Sequence, residues 1–238
     1  MTNPKQNEMT IEQLLQECRQ DYFVEPSCKI LQHKNHFCVN SDSADLARFI
    51  TIRPDEEICE IGTNNGALLV YLDRFKPKSL TGIEILDMPA LLAKENLKTI
   101  QHATSHVFCG SVVDFPDYQF DVVLSNPPYF ELSDREKKQI EQSTFSHRQL
   151  ARFEHNLDLE TLIQQVSRLL RSYGRFYLVH RPDRLVETIL MMNRYKLAAS
   201  KIQIIYDARD QQPKAFLLEA VKEGTCKARI LEPLYRGA

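Results

Sequence analysis

From residue 57 onward, short apolar runs alternate with longer stretches in which apolar residues recur every three or four positions. The short runs predict five strands, and the longer stretches predict helices near residues 65–75, 88–101 and 157–171. Strands that are apolar along nearly their whole length are typical of a parallel sheet covered on both faces. The five runs are EICEIG (57–62), SLTGIEIL (79–86), HVFCG (106–110), FDVVLSN (120–126) and GRFYLVH (174–180).

Two further apolar runs, near residues 201–206 and 215–221, follow the fifth strand. The loop between them is too short for a helical crossover, so they predict an antiparallel hairpin at the sheet edge. We therefore predict a doubly wound, Rossmann-like α/β fold with a seven-stranded sheet whose last strands form that hairpin. Residues 51–238 would form this domain, and residues 1–50 an entry segment that packs on its core, which makes one domain overall.

The pattern is weaker before the first strand. Residues 9–20 have apolar positions at helical spacing and predict a short amphipathic helix, whereas residues 29–40 favour irregular or extended chain. Residues 41–49 predict a second helix, opened by a capping residue.

Length and composition change this picture little. A chain of 238 residues with 43% hydrophobic positions can bury one sizeable core. The first twenty residues are too polar for a signal peptide, and the apolar runs are far shorter than a membrane span, so we expect a cytoplasmic protein without a membrane segment. The six cysteines form no CxxC pair, and we expect neither disulfides nor a metal site.

The first candidate site lies where the first two predicted strands end. Ligands of open α/β sheets bind at the carboxyl ends of the strands, and glycine and asparagine there tolerate the positive φ of a sharp turn. Glu84 ends the second strand, 22 positions after Gly62, and an acid at about that distance can hold both ribose hydroxyls. The candidate cofactor residues of these two strand ends are Glu60, Gly62, Thr63, Asn64, Gly66, Glu84 and Ile85.

A third strand end, at residues 109–114, could hold an adenine ring, and the choice between Ser111 and Asp114 as its partner stays open. A dinucleotide would require GxGxxG, whereas here Asn64 takes the middle position and the third glycine is missing. The glycine-poor turn fits a nucleoside cofactor without a pyrophosphate, such as S-adenosylmethionine. Each motif taken alone also fits a turn that binds nothing.

The second candidate site is the tetrapeptide that follows the fourth strand, which consists of Asn126, Pro127, Pro128 and Tyr129. Two prolines end the sheet ladder and restrict the residue before them, so they fix the asparagine rigidly. Its side-chain oxygen and the Pro127 carbonyl could accept the hydrogens of a planar amine while that amine attacks a methyl group. The tyrosine ring could stack on a flat substrate. A rigid Pro-Pro turn without a ligand explains the prolines only.

These residues resemble a known family, the bacterial tRNA1(Val) (adenine-37-N6) methyltransferases, in their Gram-positive branch. The tetrapeptide is similar to the family's NPPY motif of nitrogen methylation. The resemblance covers roughly residues 20–235, with the matching segments at 32–49, 125–130, 166–185 and 230–235.

The resemblance implies a class I S-adenosylmethionine-dependent methyltransferase that modifies the N6 amine of an adenine in tRNA, with the base held by residues 126–129. It implies that the turn at residues 62–64 contacts the methionine portion of the cofactor and that Glu84 holds the ribose. Asp42 would help to cover the cofactor, and Asn126 would lie beside it.

Basic residues in the second half of the chain could bind the nucleic acid. Residues 1–130 contain 11 basic and 18 acidic side chains, whereas residues 131–238 contain 19 and 14. Such asymmetry is a weak indication of an anionic partner, and ordinary solvated charge explains it equally well. The candidates for phosphate contact are Lys137, Lys138, Arg148, Arg152 and Arg181.

Two other functions remain open at this stage. A protein glutamine methyltransferase of the release-factor type also has NPPY, but it needs a sizeable helical domain ahead of the first strand, where this sequence has about 55 residues. A non-catalytic RNA-binding protein with a vestigial fold would not need the intact tetrapeptide. The sequence does not fix the oligomeric state.

Overall fold

The computed structural model describes residues 11–34, 38–127, 157–225 and 227–237. The strands are β1 (Cys18–Phe23), β2 (Glu25–His33), β3 (Glu57–Ile61), β4 (Ser79–Glu84), β5 (Thr104–Cys109), β6 (Phe120–Ser125), β7 (Leu170–His180), β8 (Leu197–Asp207), β9 (Pro213–Lys222), β10 (Arg229–Ile230) and β11 (Leu234–Arg236). The α-helices are α1 (Ile11–Gln16), α2 (Ser41–Phe49), α3 (Ala67–Leu72), α4 (Asp87–Leu97), α5 (Leu159–Leu169) and α6 (Leu185–Arg194). None of the helices in these ranges is long and apolar enough to cross a membrane.

Nine of the strands form one sheet, in the order β10-β8-β9-β7-β6-β3-β4-β5, with β11 also paired to β8. Strands β3 to β7 are parallel, and β9 runs antiparallel between β7 and β8. The five predicted parallel strands and the closing hairpin are therefore confirmed. The sheet has two strands more than the seven predicted, because β10 and β11 are only two and three residues long and leave no periodic signal in the sequence.

The sheet has a hydrophobic core on each face. Successive side chains of a strand point to opposite faces, so Ile58 packs with α2, α3 and α4, whereas its neighbour Cys59 packs with α5 and α6. The predicted apolar stripe of the last long helix is confirmed on α5, where Leu162, Ile163 and Val166 are at most 1% exposed.

The chain ahead of the main sheet differs from the prediction. The helix predicted over residues 9–20 ends at Gln16, and the chain then forms the antiparallel hairpin of β1 and β2, which includes part of the segment predicted as irregular. Val24 turns the hairpin with a φ of 65°. Phe23 is the one fully buried side chain of β1. The sequence of this strand therefore shows no alternation of apolar and polar residues from which a strand could be predicted.

Asn96 on α4 attaches this hairpin to the core. Its Oδ1 accepts the Leu31 N–H at 2.7 Å, and its Nδ2 donates to the Leu31 carbonyl at 3.0 Å and to the Asn65 carbonyl at 2.8 Å. The side chain is 1% exposed, so water cannot replace these bonds. One buried amide therefore joins β2, α4 and the turn that precedes α3.

We expect Asn96→Leu to lower the free energy of unfolding by about 2 kcal/mol or more, because the Leu31 N–H would stay buried without its partner. Urea denaturation monitored by circular dichroism measures the change. Asn193→Leu, at an exposed position of α6, is the matched control and should change stability by less than about 0.5 kcal/mol. Equal effects of the two substitutions would contradict the role of Asn96.

Candidate active site

The candidate site residues meet at one edge of the sheet, because the carboxyl ends of β3 to β7 all lie there. The site has four components: the turn after β3, the acid that ends β4, the turn after β5 and the asparagine after β6. The Ser125 hydroxyl donates to the Ile61 carbonyl at 2.8 Å and joins the ends of β6 and β3. The Gly110 N–H donates to the Glu84 carbonyl at 2.8 Å and joins the ends of β5 and β4.

The turn after β3 passes through the left-handed region at three positions. The φ angles are 75° at Gly62, 50° at Asn64 and 74° at Gly66. Asparagine tolerates this conformation, so the missing glycine of the dinucleotide fingerprint does not prevent a tight turn. A Cβ added at Gly62 would have no described atom within 4 Å, so the space in front of this backbone is open to a ligand.

Glu84 connects the end of β4 to that turn. Its Oε2 accepts the Asn64 N–H at 2.8 Å, and its Oε1 accepts the Leu86 N–H at 3.0 Å. Burial raises the pKa of this carboxyl, against the effect of the N–H donors. Each carboxylate oxygen has two lone pairs, so an ionised Glu84 has acceptor capacity left for the paired hydroxyls of a ribose.

Glu60 is a second buried carboxyl beside Glu84, only 5% exposed. Its Oε2 accepts the Thr63 hydroxyl at 2.6 Å. Burial raises the pKa of Glu60 to about 8; the Glu84 carboxylate adds to the shift and the bond from Thr63 opposes it. Gly82 is part of the same packing, because a Cβ there would come within 2.6 Å of the Thr63 side chain. Thr63 is thus held between the two strands.

The turn after β5 holds two further predicted cofactor residues, Ser111 and Asp114. The Ser111 hydroxyl accepts the Val113 N–H at 3.3 Å, and Asp114 is exposed. Ile85 and Val113 are apolar but 42% and 55% exposed, so both could cover a flat ring. Val113 belongs to the stretch 109–114 that the sequence predicts for the adenine ring, but its own role could not be singled out, because the exposure of an apolar residue leaves no mark in the sequence.

Asn126 follows β6, and its side-chain amide contacts α2. Its Nδ2 donates to the Ser43 hydroxyl of α2 at 2.8 Å, and Pro127 behind it is buried. The other two members of the tetrapeptide, Pro128 and Tyr129, lie outside the described residues.

Other predicted site residues have different surroundings. Asp42 accepts a hydrogen bond from Arg236 at 2.7 Å, and its contact with a cofactor stays a prediction. Arg181 is 41% exposed and pairs with Asp183 at 3.1 Å. The other predicted RNA contacts lie outside the described residues: Lys137, Lys138, Arg148 and Arg152. Within the described ranges, no group of three or more His, Cys, Asp or Glu side chains could hold a metal ion.

The groups at this edge of the sheet fit a nucleoside cofactor. They comprise an acid placed for two hydroxyls, an open glycine backbone and two exposed apolar side chains. A family model described as the methyltransferase small domain matches residues 28–202. The chain belongs to this family.

Curated relatives agree with this membership. A tRNA1(Val) (adenine(37)-N6)-methyltransferase of Porphyromonas gingivalis is 30% identical over 168 residues, which cover 67% of this chain and 63% of that protein. Another, of Bacteroides thetaiotaomicron, is 27% identical over 83% of each chain. The match to the first of these methyltransferases thus spans less than two thirds of its length.

Solved structures confirm the fold class. A proposed class I S-adenosylmethionine-dependent methyltransferase of Listeria monocytogenes superposes with a TM-score of 0.60 over 85% of this chain and 67% of that one, at 15% identity. A proposed O-methyltransferase of Agrobacterium tumefaciens gives 0.58 over 81% and 88%, at 18% identity. The doubly wound sheet with its closing hairpin is therefore that of the class I methyltransferases.

We expect Glu60→Gln to stabilise the protein in a pH-dependent way. The folded protein keeps a proton on Glu60 up to a pKa of about 8, whereas the unfolded chain releases it near 4.5. Because the unfolded state then binds fewer protons, the contribution of Glu60 to stability is lost as the pH rises between these values. The melting temperature of the variant should exceed that of the wild type at pH about 8 and approach it at pH about 5. A difference independent of pH would contradict the raised pKa.

Proposed function

We propose that the protein transfers a methyl group from S-adenosylmethionine to the exocyclic N6 amine of an adenine in tRNA, at position 37 of tRNA1(Val). The observation that carries the proposal is the Asn126 amide, which Ser43 contacts at the end of β6, on the same edge of the sheet as the Glu84 carboxylate. The names of the curated relatives support the tRNA substrate. Such a substrate implies a cytoplasmic location.

Different residues of the site would bind different parts of the cofactor. The Glu84 carboxylate would accept the ribose hydroxyls, the open backbone at Gly62 would lie against the methionine portion, and Ile85 with Val113 would cover the adenine. When bound, S-adenosylmethionine supplies an electrophilic methyl group on its sulfonium.

Asn126 would act on the substrate amine. The lone pair of an adenine amine is delocalised into the ring, so the amine is a weak nucleophile until its hydrogens are held by acceptors. The side-chain oxygen of Asn126 and the carbonyl of Pro127 would accept those hydrogens and stabilise the positive charge that develops on nitrogen. No general base with a special pKa is needed for this step, because the charge is stabilised where it forms. The new carbon–nitrogen bond would replace the methyl–sulfur bond, a neutral thioether would be the leaving group, and the methylated nitrogen would release its extra proton to water.

One labelling experiment separates this function from its alternatives. The purified protein is incubated with S-adenosylmethionine labelled in the methyl group and with total tRNA from a host that lacks the gene. Label in N6-methyladenosine supports the proposal. Label in a protein release factor would instead show the glutamine methyltransferase, and RNA binding without any label would show a vestigial fold.

Asn126→Ala should lower kcat by about 100-fold or more, the usual effect of removing one preorganised polar group. Affinity for S-adenosylmethionine, measured by calorimetry, should stay within about twofold because Asn126 is expected to serve the reaction step. Asn193→Ala, at an exposed position of α6, is the control. Parallel losses of turnover and of cofactor affinity would show that Asn126 holds the cofactor instead.

A further inference from the structure

Two sets of polar contacts on α2 link the last strand to Asn126 through the helix backbone. The Arg236 guanidinium of β11 donates from Nη2 to Asp42 at 2.7 Å and from Nε to Asp45 at 2.6 Å. The three side chains are 24%, 19% and 7% exposed, so solvent screens this ion pair only in part. Both acids belong to α2, the helix that carries Ser43.

Ser43 lies on the helical turn between these two acids. The Asn40 side chain caps the helix by accepting the Ser43 N–H at 2.9 Å. Asp42 and Asp45 are three positions apart, so their like charges repel across one turn unless a cation lies between them. Arg236 is that cation, with Arg48 at 3.3 Å from Asp45 as a second one. The position of Ser43 therefore depends on the contact with β11.

Arg236 itself is held by the sheet. In the parallel pairing of β11 with β8, Arg236 is opposite Asp207 and Leu234 is opposite Ile205. The Arg236 carbonyl accepts the Ala208 N–H at 2.9 Å. Its side chain thus extends from a fixed backbone toward α2.

The contact between Ser43, on this same turn of α2, and Asn126 positions the Asn126 amide. An amide has a donor end and an acceptor end, and the two exchange places when the side chain rotates by half a turn. In the structure the Ser43 hydroxyl accepts from the donor end at 2.8 Å, and the acceptor end is turned away from it. A hydroxyl can accept or donate, so this contact holds the amide group at one place and in one plane. Without that hydroxyl, α2 would no longer hold the amide group there.

We propose that Ser43 and Arg236 are positioning residues: the ion pair of Arg236 with Asp42 and Asp45 holds the α2 turn from which the Ser43 hydroxyl orients the Asn126 amide. The inference rests on the proposed function for its effect on turnover, but the orientation itself is a property of the protein alone. The proposal also gives Asp42 a structural role, in addition to the expected role of covering the cofactor.

The first test measures turnover. Ser43→Ala and Arg236→Met should each lower kcat about tenfold, with cofactor affinity within about twofold, as expected when a reacting group is misoriented. Ser43→Thr keeps the hydroxyl and should restore most of the loss. Because both residues act through one contact, the double variant should be no slower than Ser43→Ala alone.

Arg171→Met is the matched control. Arg171 pairs with Glu57 and Asp121 at the amino end of the sheet, away from the site. Its loss removes one partner from the Glu57 carboxylate, which keeps Lys78 and Tyr118, and one from Asp121. The variant should therefore lower the melting temperature modestly and leave kcat unchanged. A drop in kcat equal to that of Arg236→Met, or independent additive effects of Ser43→Ala and Arg236→Met, would overturn the inference.

The second test needs no activity. The side-chain amide resonances of Asn126, assigned by their absence in Asn126→Ala, are followed by NMR in ¹⁵N-labelled protein. They should move in Ser43→Ala and in Arg236→Met and return in Ser43→Thr; unchanged resonances in Arg236→Met would refute the coupling. If the wild type methylates no RNA, the proposed function is wrong, and the amide resonances still decide whether α2 orients Asn126.

Discussion

Two buried carboxyl groups at neighbouring strand ends determine the shape of the candidate site. Glu60 and Glu84 are both less than a tenth exposed, and a carboxyl group without water has to be hydrogen-bonded or neutral. The turn after β3 supplies the donors, through the Thr63 hydroxyl and the Asn64 N–H. If this turn rearranged, one of the two acids would lose a hydrogen-bond donor. The bonds that stabilise the acids therefore also keep Gly62 in place, with its backbone facing open space.

The same turn is supported from behind by a second set of buried polar groups. Asn96 bonds the Asn65 carbonyl and both backbone groups of Leu31, and the Asn65 side chain donates to the Leu31 carbonyl at 3.2 Å. The hairpin of β1 and β2 is therefore hydrogen-bonded to the candidate cofactor turn, directly through Asn65 and indirectly through Asn96.

The sequence predicted the features that are encoded locally. Strands β3 to β7 are recognisable because they are buried on both faces, and Glu84 because its distance from Gly62 is characteristic. The hairpin of β1 and β2 was missed, since β1 buries little more than Phe23. The contact between Ser43 and Asn126 joins residues 83 positions apart, and neither periodicity nor spacing can reveal such a pairing.

The two sides of the site thus differ in how the chain specifies them. The cofactor turn depends on one short stretch of sequence and on Glu84, 20 positions from its partner Asn64. The orientation of Asn126 depends on α2, and α2 depends on Arg236, 194 positions from Asp42. Under the proposed function, Ser43 and β11 would belong to the substrate side of the site, although neither is near the NPPY tetrapeptide in sequence. A change in either would then alter how the amine is held without altering how the cofactor is bound.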